Sequence, residues 1–280
     1  MKQKVIGEKL GVQLVVELLL IAIALVFLYP IFFLFVGSFK EPSIFYDPFA
    51  FPRSLYLGSY KIVFEKVDVW MGLMNTTKVV VLSILLIVLV GSLAGYAIAR
   101  VPSRWFKYAY FFFLAGMVIP LQTTMITLFK LSVTLNMMDT HRFLILLYVA
   151  GAIPISTFIY VGFMKSIPKE IEESAFIDGC GPLRSFAKIV FPLLMPATGT
   201  IIILNITGIY NDFLSPLLYL RSADKLTLMS QIVQFYANKF SMDFGPVFAL
   251  SSLAVLPLII LFIFTQKYMI KGLVVGALKG

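Results

Sequence analysis

Residues 165–188 read KSIPKEIEESAFIDGCGPLRSFAK, and residues 189–196, which follow at once, read IVFPLLMP. A stretch that keeps Glu170, Glu172, Glu173, Asp178, Arg184 and Lys188 together between two apolar runs is too costly to place in hydrocarbon, so it forms a structured element at a membrane surface. Its local chemistry predicts a helix, a turn and a second short helix. Pro168 suits a first helical position, and the three glutamates complement the positive end of the helix dipole. Gly179 is a natural left-handed cap, Gly181 loosens the chain, and Pro182 opens a second helix running toward Val190. Ile171, Ala175 and Phe176 fall on spacings of four and five, which predicts an inward apolar face and leaves Glu172 and Asp178 to face water or another protein. An interfacial amphipathic helix with no partner fits this periodicity equally well.

The flanking sequence sets the class. Hydrophobic residues make up 60% of the chain and charged ones 13%, with a mean hydropathy of +0.96, outside the range of a soluble domain. Six runs without charge follow one another: 18–36, 79–99, 108–129, 143–164, 189–211 and 244–266. Each is about long enough to span a bilayer core as a helix, and runs without strict alternation favour helices over barrel strands. The expected fold is an all-α, polytopic membrane protein with six transmembrane helices, forming a single transmembrane domain over 1–280. An even number of spans puts both termini on one side. Arg100, Arg104 and Lys107, in a short loop without acids, place that side in the cytoplasm together with residues 165–188. The net charge of +9 needs no nucleic acid, because basic flanks meeting anionic lipid account for it.

Several chemistries are absent. The first apolar run is long enough to span, and no small-residue cleavage site clearly follows it, so a signal peptide is not expected. Cys180 is the only cysteine, which rules out an internal disulfide or a cysteine metal cage; His141 is the only histidine and reads as interfacial. No Gly-rich phosphate loop is present, so ATP and magnesium, if used, belong to a partner chain and no cofactor is expected here. A self-contained secondary transporter or channel is the competing class. It predicts an ion-coupling or proton-relay residue within the spans, and the six runs hold no Asp, Glu, Lys, Arg or His.

The order of residues in the charged stretch resembles the EAA loop of permease subunits in ATP-binding cassette importers. That pattern is EAA, three residues, G, nine residues, I, two residues, P; here Glu173, Ser174, Ala175, Gly179, Ile189 and Pro192 stand at those places, with Ser174 for the usual first Ala. Resemblance extends over nearly the whole chain. Residues 75–77 (NTT), 95–100 (GYAIAR), 117–122 (MVIPLQ), 211–213 (NDF) with 216–217 (PL), and 272–280 (GLVVGALKG) are similar to the smaller permease of carbohydrate importers such as the maltose transporter. The resemblance implies a subunit of an ATP-driven importer of sugars in a bacterial or archaeal cytoplasmic membrane. It implies as partners a second homologous permease, two ATP-binding cassette ATPase subunits, an extracellular sugar-binding protein and a carbohydrate substrate. Residues 168–186, with Glu173, Ser174, Ala175, Asp178, Gly179, Ile189 and Pro192, are then the coupling segment docked on the ATPase. Gly276, Lys279 and Gly280 are a tail at the ATPase interface.

Polar residues inside spans are costly unless they face a bundle interior or a water-filled path. Gln122, Thr123, Thr124 and Thr127 in the third run and Asn205, Thr207, Tyr210 and Asn211 in the fifth are the path-lining candidates. For the Ser and Thr residues, bonding to helix carbonyls is the competing explanation. Residues 221–241 form a loop longer than a passive helix connection needs, and the resemblance implies that it reaches the binding protein, with Tyr236, Asn238, Lys239 and Phe240 near its tip as the contacts. Pro120, Pro154, Pro196 and Pro257 are expected helix kinks.

Overall fold

Helices account for the regular structure throughout the described residues, and no strand occurs among them. The structure is a computed structural model that describes residues 2–47, 50–52, 54–237 and 244–277. In chain order the helices are α1 (Lys2–Ser38), α2 (Gly58–Lys66), α3 (Val69–Arg100), α4 (Arg104–Gly116), α5 (Leu121–Thr134), α6 (His141–Lys165) and α7 (Glu170–Ile177). They continue as α8 (Pro182–Ser185), a π-helical turn at Phe186–Val190, α9 (Phe191–Leu193), α10 (Met195–Asn211), α11 (Leu214–Tyr219), α12 (Leu228–Ala237) and α13 (Gly245–Ala277).

Among the described residues four helices are long and apolar enough to cross a membrane: Val12–Ser38, α3, α6 and Gly245–Phe264. Pro182–Leu193 and Met195–Asn211 reach that length and apolarity only when taken together, across a bend of 73°. The fold is thus all-α and polytopic, but the run expected at 108–129 is not one helix. It divides into α4 and α5 around Met117–Pro120, and each half is shorter than a bilayer core. Proline is the cause: Pro120 has no N–H to donate, and it pushes the preceding residue out of the helical region. The bend before α10 has the same origin, with Pro192 and Pro196 on either side of Leu194. Pro154 and Pro257, by contrast, lie inside continuous helices.

The chain divides into two compact units. In the one made of residues 1–69 and 234–257, a line of hydroxyls joins Ser38 to Tyr60 at 2.8 Å and Tyr60 to Ser252 at 2.9 Å. Lys40 is buried there, its Nζ donating to the Asp47 carbonyl at 2.7 Å and lying 5.5 Å from the centre of the Phe33 ring.

The other unit, residues 70–233 with 258–280, carries the rest. Along α3 the buried positions Gly72, Thr76, Val80, Ser83, Ile87, Gly91 and Gly95 recur every three or four residues, while Val81, Leu82, Leu85, Leu89 and Val90 face out. Small and polar residues inside with large apolar ones outside is the pattern of a helix whose far face meets lipid. Gly91 and Gly95 are needed for the approach to α6. A Cβ on Gly95 would lie 2.7 Å from the Cβ of Tyr160, and one on Gly91 would lie 3.1 Å from that of Ser156. Tyr160 is fully buried, and its hydroxyl meets Thr198 Oγ1 of α10 at 2.9 Å. This one residue therefore holds α3, α6 and α10 together.

Candidate functional site

The charged stretch folds as a helix, a turn and a second helical arm. α7 starts two residues after Pro168, with Glu170, Glu172 and Glu173 in its first turn. Its C-terminus is closed by Gly179 at φ +80°. The Gly179 N–H donates to the Phe176 carbonyl at 3.0 Å and the Cys180 N–H to the Ala175 carbonyl at 2.9 Å, the paired bonds of a Schellman cap. Pro182 opens α8, which passes into the π-helical turn ending at Val190. Ser174 Oγ bonds back to the Glu170 carbonyl at 2.8 Å on the exposed side of α7.

The buried face of α7 is not the one its apolar spacing predicts. Only Glu172, 4% exposed, and Ala175, 8% exposed, are buried, whereas Ile171, Phe176 and Ile177 face out, Ile177 at 87%. Leu183 at the start of the second arm is exposed as well. Asp178 is exposed as expected, Glu173 is exposed beside it, Ile189 is half-buried and Pro192 exposed. The expectation that Glu172 faces water is overturned by a partner distant in sequence. Arg100, the last residue of α3, places Nε 2.6 Å from Glu172 Oε1 and donates from Nη2 to the Ile167 carbonyl at 3.0 Å. Tyr96, one turn earlier, donates to Glu172 Oε2 at 2.9 Å and lays its ring 5.0 Å from that of Phe186. The end of α3 thus touches both arms of the segment. Arg100 was legible as a basic flank, but nothing local in the sequence marks it as the partner of Glu172.

A second feature is a cavity of about 990 Å³ lined by α4, α5, α6, α10 and α11. Of the path-lining candidates it brings together Gln122, Thr124, Asn205 and Asn211; Thr123, Thr127, Thr207 and Tyr210 are not among its lining residues. Thr123 Oγ1 donates to the Pro120 carbonyl at 2.7 Å, Thr207 Oγ1 to that of Ile203 at 3.1 Å, and Tyr210 is buried. One amide hydrogen of Asn205 goes to the Ile201 carbonyl and one of Asn211 to that of Thr207, at 2.8 and 3.0 Å. Sequence reading missed the pair at the cavity wall. Tyr148 donates to Asp212 Oδ2 at 2.9 Å, while Asp212 Oδ1 accepts from the N–H groups of Leu214 and Ser215 and so caps α11. An Asp opening a short helix is the signal that was available.

At the other end of α6, Asp139 ties down the connection after α11. Its carboxylate accepts from the N–H groups of Arg221 and Ser222, from the Ser222 hydroxyl, and from Lys225 Nζ at 2.8 Å. Burial pushes its carboxyl up, but the Lys225, Ser222 and backbone donors outweigh that and hold it well below the usual range. Asp139 in turn raises the Lys225 ammonium. His141 Nε2–H donates to the Lys225 carbonyl at 2.7 Å, and no cluster able to hold a metal occurs among the described residues. Tyr236 is exposed near the end of α12; Asn238, Lys239 and Phe240 lie outside the described residues, as do Lys279 and Gly280. Gly276 lies in the last turn of α13.

Comparison with known proteins gives the class. The family described as "Binding-protein-dependent transport system inner membrane component" matches residues 87–275, a range that contains α6, α7, the cavity and the bent α10 pair. The chain belongs to that family. The melibiose/raffinose/stachyose import permease protein MelC of Bacillus subtilis is 33% identical over 267 residues, covering 95% of this chain and 96% of the relative. The multiple sugar-binding transport system permease protein MsmG of Streptococcus mutans is 34% identical over 256 residues, covering 90% and 92%. A chain of a bacterial ABC transporter involved in the import of the acidic polysaccharide alginate superposes with a TM-score of 0.78 at 22% identity, over 91% of this chain and 95% of that one, and so shares the fold. The protein is therefore a multi-pass, non-catalytic permease subunit of an ABC importer in the cell membrane. It works with a second permease, an ATPase that carries the hydrolysis, and a substrate-binding protein.

Proposed function

We propose that this permease imports sugars of the oligosaccharide class as half of a translocation path completed by a second homologous permease, and that two ATPase copies drive it. The sugar specificities in the names of MelC and MsmG support this reading. In it both termini and residues 168–186 face the cytoplasm, in keeping with Arg100, Arg104 and Lys107. α7 and α8 are the coupling segment: Ile177 and Leu183 give an apolar contact to the ATPase cleft, with Glu173 and Asp178 beside it for basic groups. The single observation that carries the assignment is the glycine-capped α7 standing with its large apolar residues outward, a face with no reason to be exposed unless something covers it. The Gly276, Lys279 and Gly280 tail serves as a further ATPase contact. Residues 221–241, with Tyr236, Asn238, Lys239 and Phe240, serve the extracellular sugar-binding protein.

Gln122, Asn205 and Asn211 in the cavity wall are the groups in this subunit that meet the sugar, as amides that both donate and accept. The test is reconstitution in liposomes with and without the companion chains. ATP-dependent uptake of an oligosaccharide is expected only from the complete set. ATP hydrolysis, or uptake, by this chain alone would overturn the reading.

A further inference from the structure

α7 has eight residues and buries two of them, and one of the two is a glutamate. A short helix that moved with its membrane domain through apolar contact alone could slide or tilt on that contact. Here the attachment is a buried ion pair with fixed geometry. The two side chains are 10% and 6% exposed, and both Glu172 oxygens are taken, Oε1 by Arg100 and Oε2 by Tyr96. Arg100 also holds the Ile167 carbonyl, which lies in the connection between α6 and α7. Tyr96 and Arg100 are one turn apart on α3, so a single helix end grips the first arm through Glu172 and the second through Phe186. Charge-assisted bonds at a planar guanidinium are directional, and they resist rotation where packed methyl groups do not.

We propose that Tyr96, Arg100 and Glu172 are positioning residues that convert movement of α7 into movement of α3, and that this tie sets how much transport each hydrolysed ATP yields. The proposal rests on α7 being the ATPase-facing helix. Through Gly91, Gly95 and Tyr160 the same movement passes to α6 and α10, which bound the cavity or pack beside it. Nothing in the tie needs to touch sugar or nucleotide.

The test measures sugar taken up per ATP hydrolysed in the reconstituted complex for Glu172→Gln, Arg100→Lys and Tyr96→Phe, with co-purification of the ATPase as the assembly check. Arg100→Lys keeps the charge but cannot reach Glu172 and the Ile167 carbonyl as one fork. Tyr96→Phe keeps the ring on Phe186 and removes only its bond to Glu172. The expected result is a ratio lowered about tenfold in Glu172→Gln and Arg100→Lys, as for the loss of one charge-assisted hydrogen bond, and less in Tyr96→Phe. A purely structural brace would lower assembly, uptake and hydrolysis together and leave the ratio alone, which would overturn the proposal. If Glu172→Gln does not assemble, Arg100→Lys and Tyr96→Phe decide: an unchanged ratio in both overturns it. A Cys at Ile177 separates the two readings. If it crosslinks to the ATPase while the ratio never changes, this inference fails and the docking assignment stands; if it does not crosslink, the docking assignment is what fails.

Discussion

Gly179 offers a substitution whose cost comes from the backbone alone. Its φ is +80°, and a Cβ built on it would meet nothing within 4 Å, so no clash contributes. An L-residue held in the left-handed region loses about 1–2 kcal/mol relative to Gly, a β-branched one sits at or beyond the upper end, and Asn loses least because its short polar side chain tolerates that region. The bonds at stake are those from Gly179 N–H to Phe176 and from Cys180 N–H to Ala175, which fix the angle between α7 and α8. A loss of 1–2 kcal/mol from the capped geometry lowers its population relative to uncapped forms by a factor of about 5–30. The apparent affinity of the ATPase for the membrane subunits, which follows the capped fraction, should weaken by up to that factor, increasingly in the order Asn, Ala, Val. Titration of purified ATPase onto the permease pair in nanodiscs reads this directly, and binding-protein-stimulated hydrolysis should fall in the same order. Equal effects from Gly179→Asn and Gly179→Val, or wild-type behaviour of Gly179→Val, would refute the argument.

Gly95→Leu should destabilise by at least about 1–3 kcal/mol, since even its Cβ lies 2.7 Å from that of Tyr160, whereas Gly162→Ala, with open space around it, should be neutral or slightly stabilising; thermal unfolding in detergent checks both. Ser174→Ala should be mild, within about 0.5 kcal/mol, because its hydroxyl only bonds back to Glu170 on an exposed face, and uptake assays should show near-wild-type rates. Asp139→Asn should lower stability at neutral pH by about 1–2 kcal/mol after allowance for solvent screening. Because the folded state depresses the Asp139 carboxyl, its contribution is present above the ordinary Asp value of about 4 and is lost as pH falls through and below it. The difference in unfolding temperature between wild type and Asp139→Asn should therefore shrink below about pH 4, and a constant difference would contradict this.

What could be read from the sequence was local. The apolar runs at 18–36, 79–99, 143–164 and 244–266, the glycine cap at Gly179 and the second arm opened by Pro182 are set by neighbouring residues, and they stand in the structure where the sequence puts them. The facing of α7 was not local. A glutamate in an amphipathic pattern reads as solvent-facing, and only Arg100, 72 positions away on α3, makes its burial favourable. The third run likewise read as one helix because hydropathy does not register that Pro120 breaks a backbone pattern without adding polarity. In the candidate path, the spacing within α5 and α10 was visible, but the folding of both onto α6, which selects Gln122, Asn205 and Asn211 and adds Tyr148 with Asp212, was not.

The central claim is that residues 168–186 meet the ATPase through the exposed end of α7, and Ile177 is the position that tests it most directly. With Cys180 replaced by Ser and Ile177 by Cys, a bifunctional thiol reagent of short span applied to the assembled complex is expected to join this chain to the ATPase subunit. Addition of the ATPase is also expected to protect the same cysteine from a water-soluble maleimide. A cysteine at Ile177 that never crosslinks to the ATPase, and that reacts with the maleimide equally fast with and without it, would contradict the account.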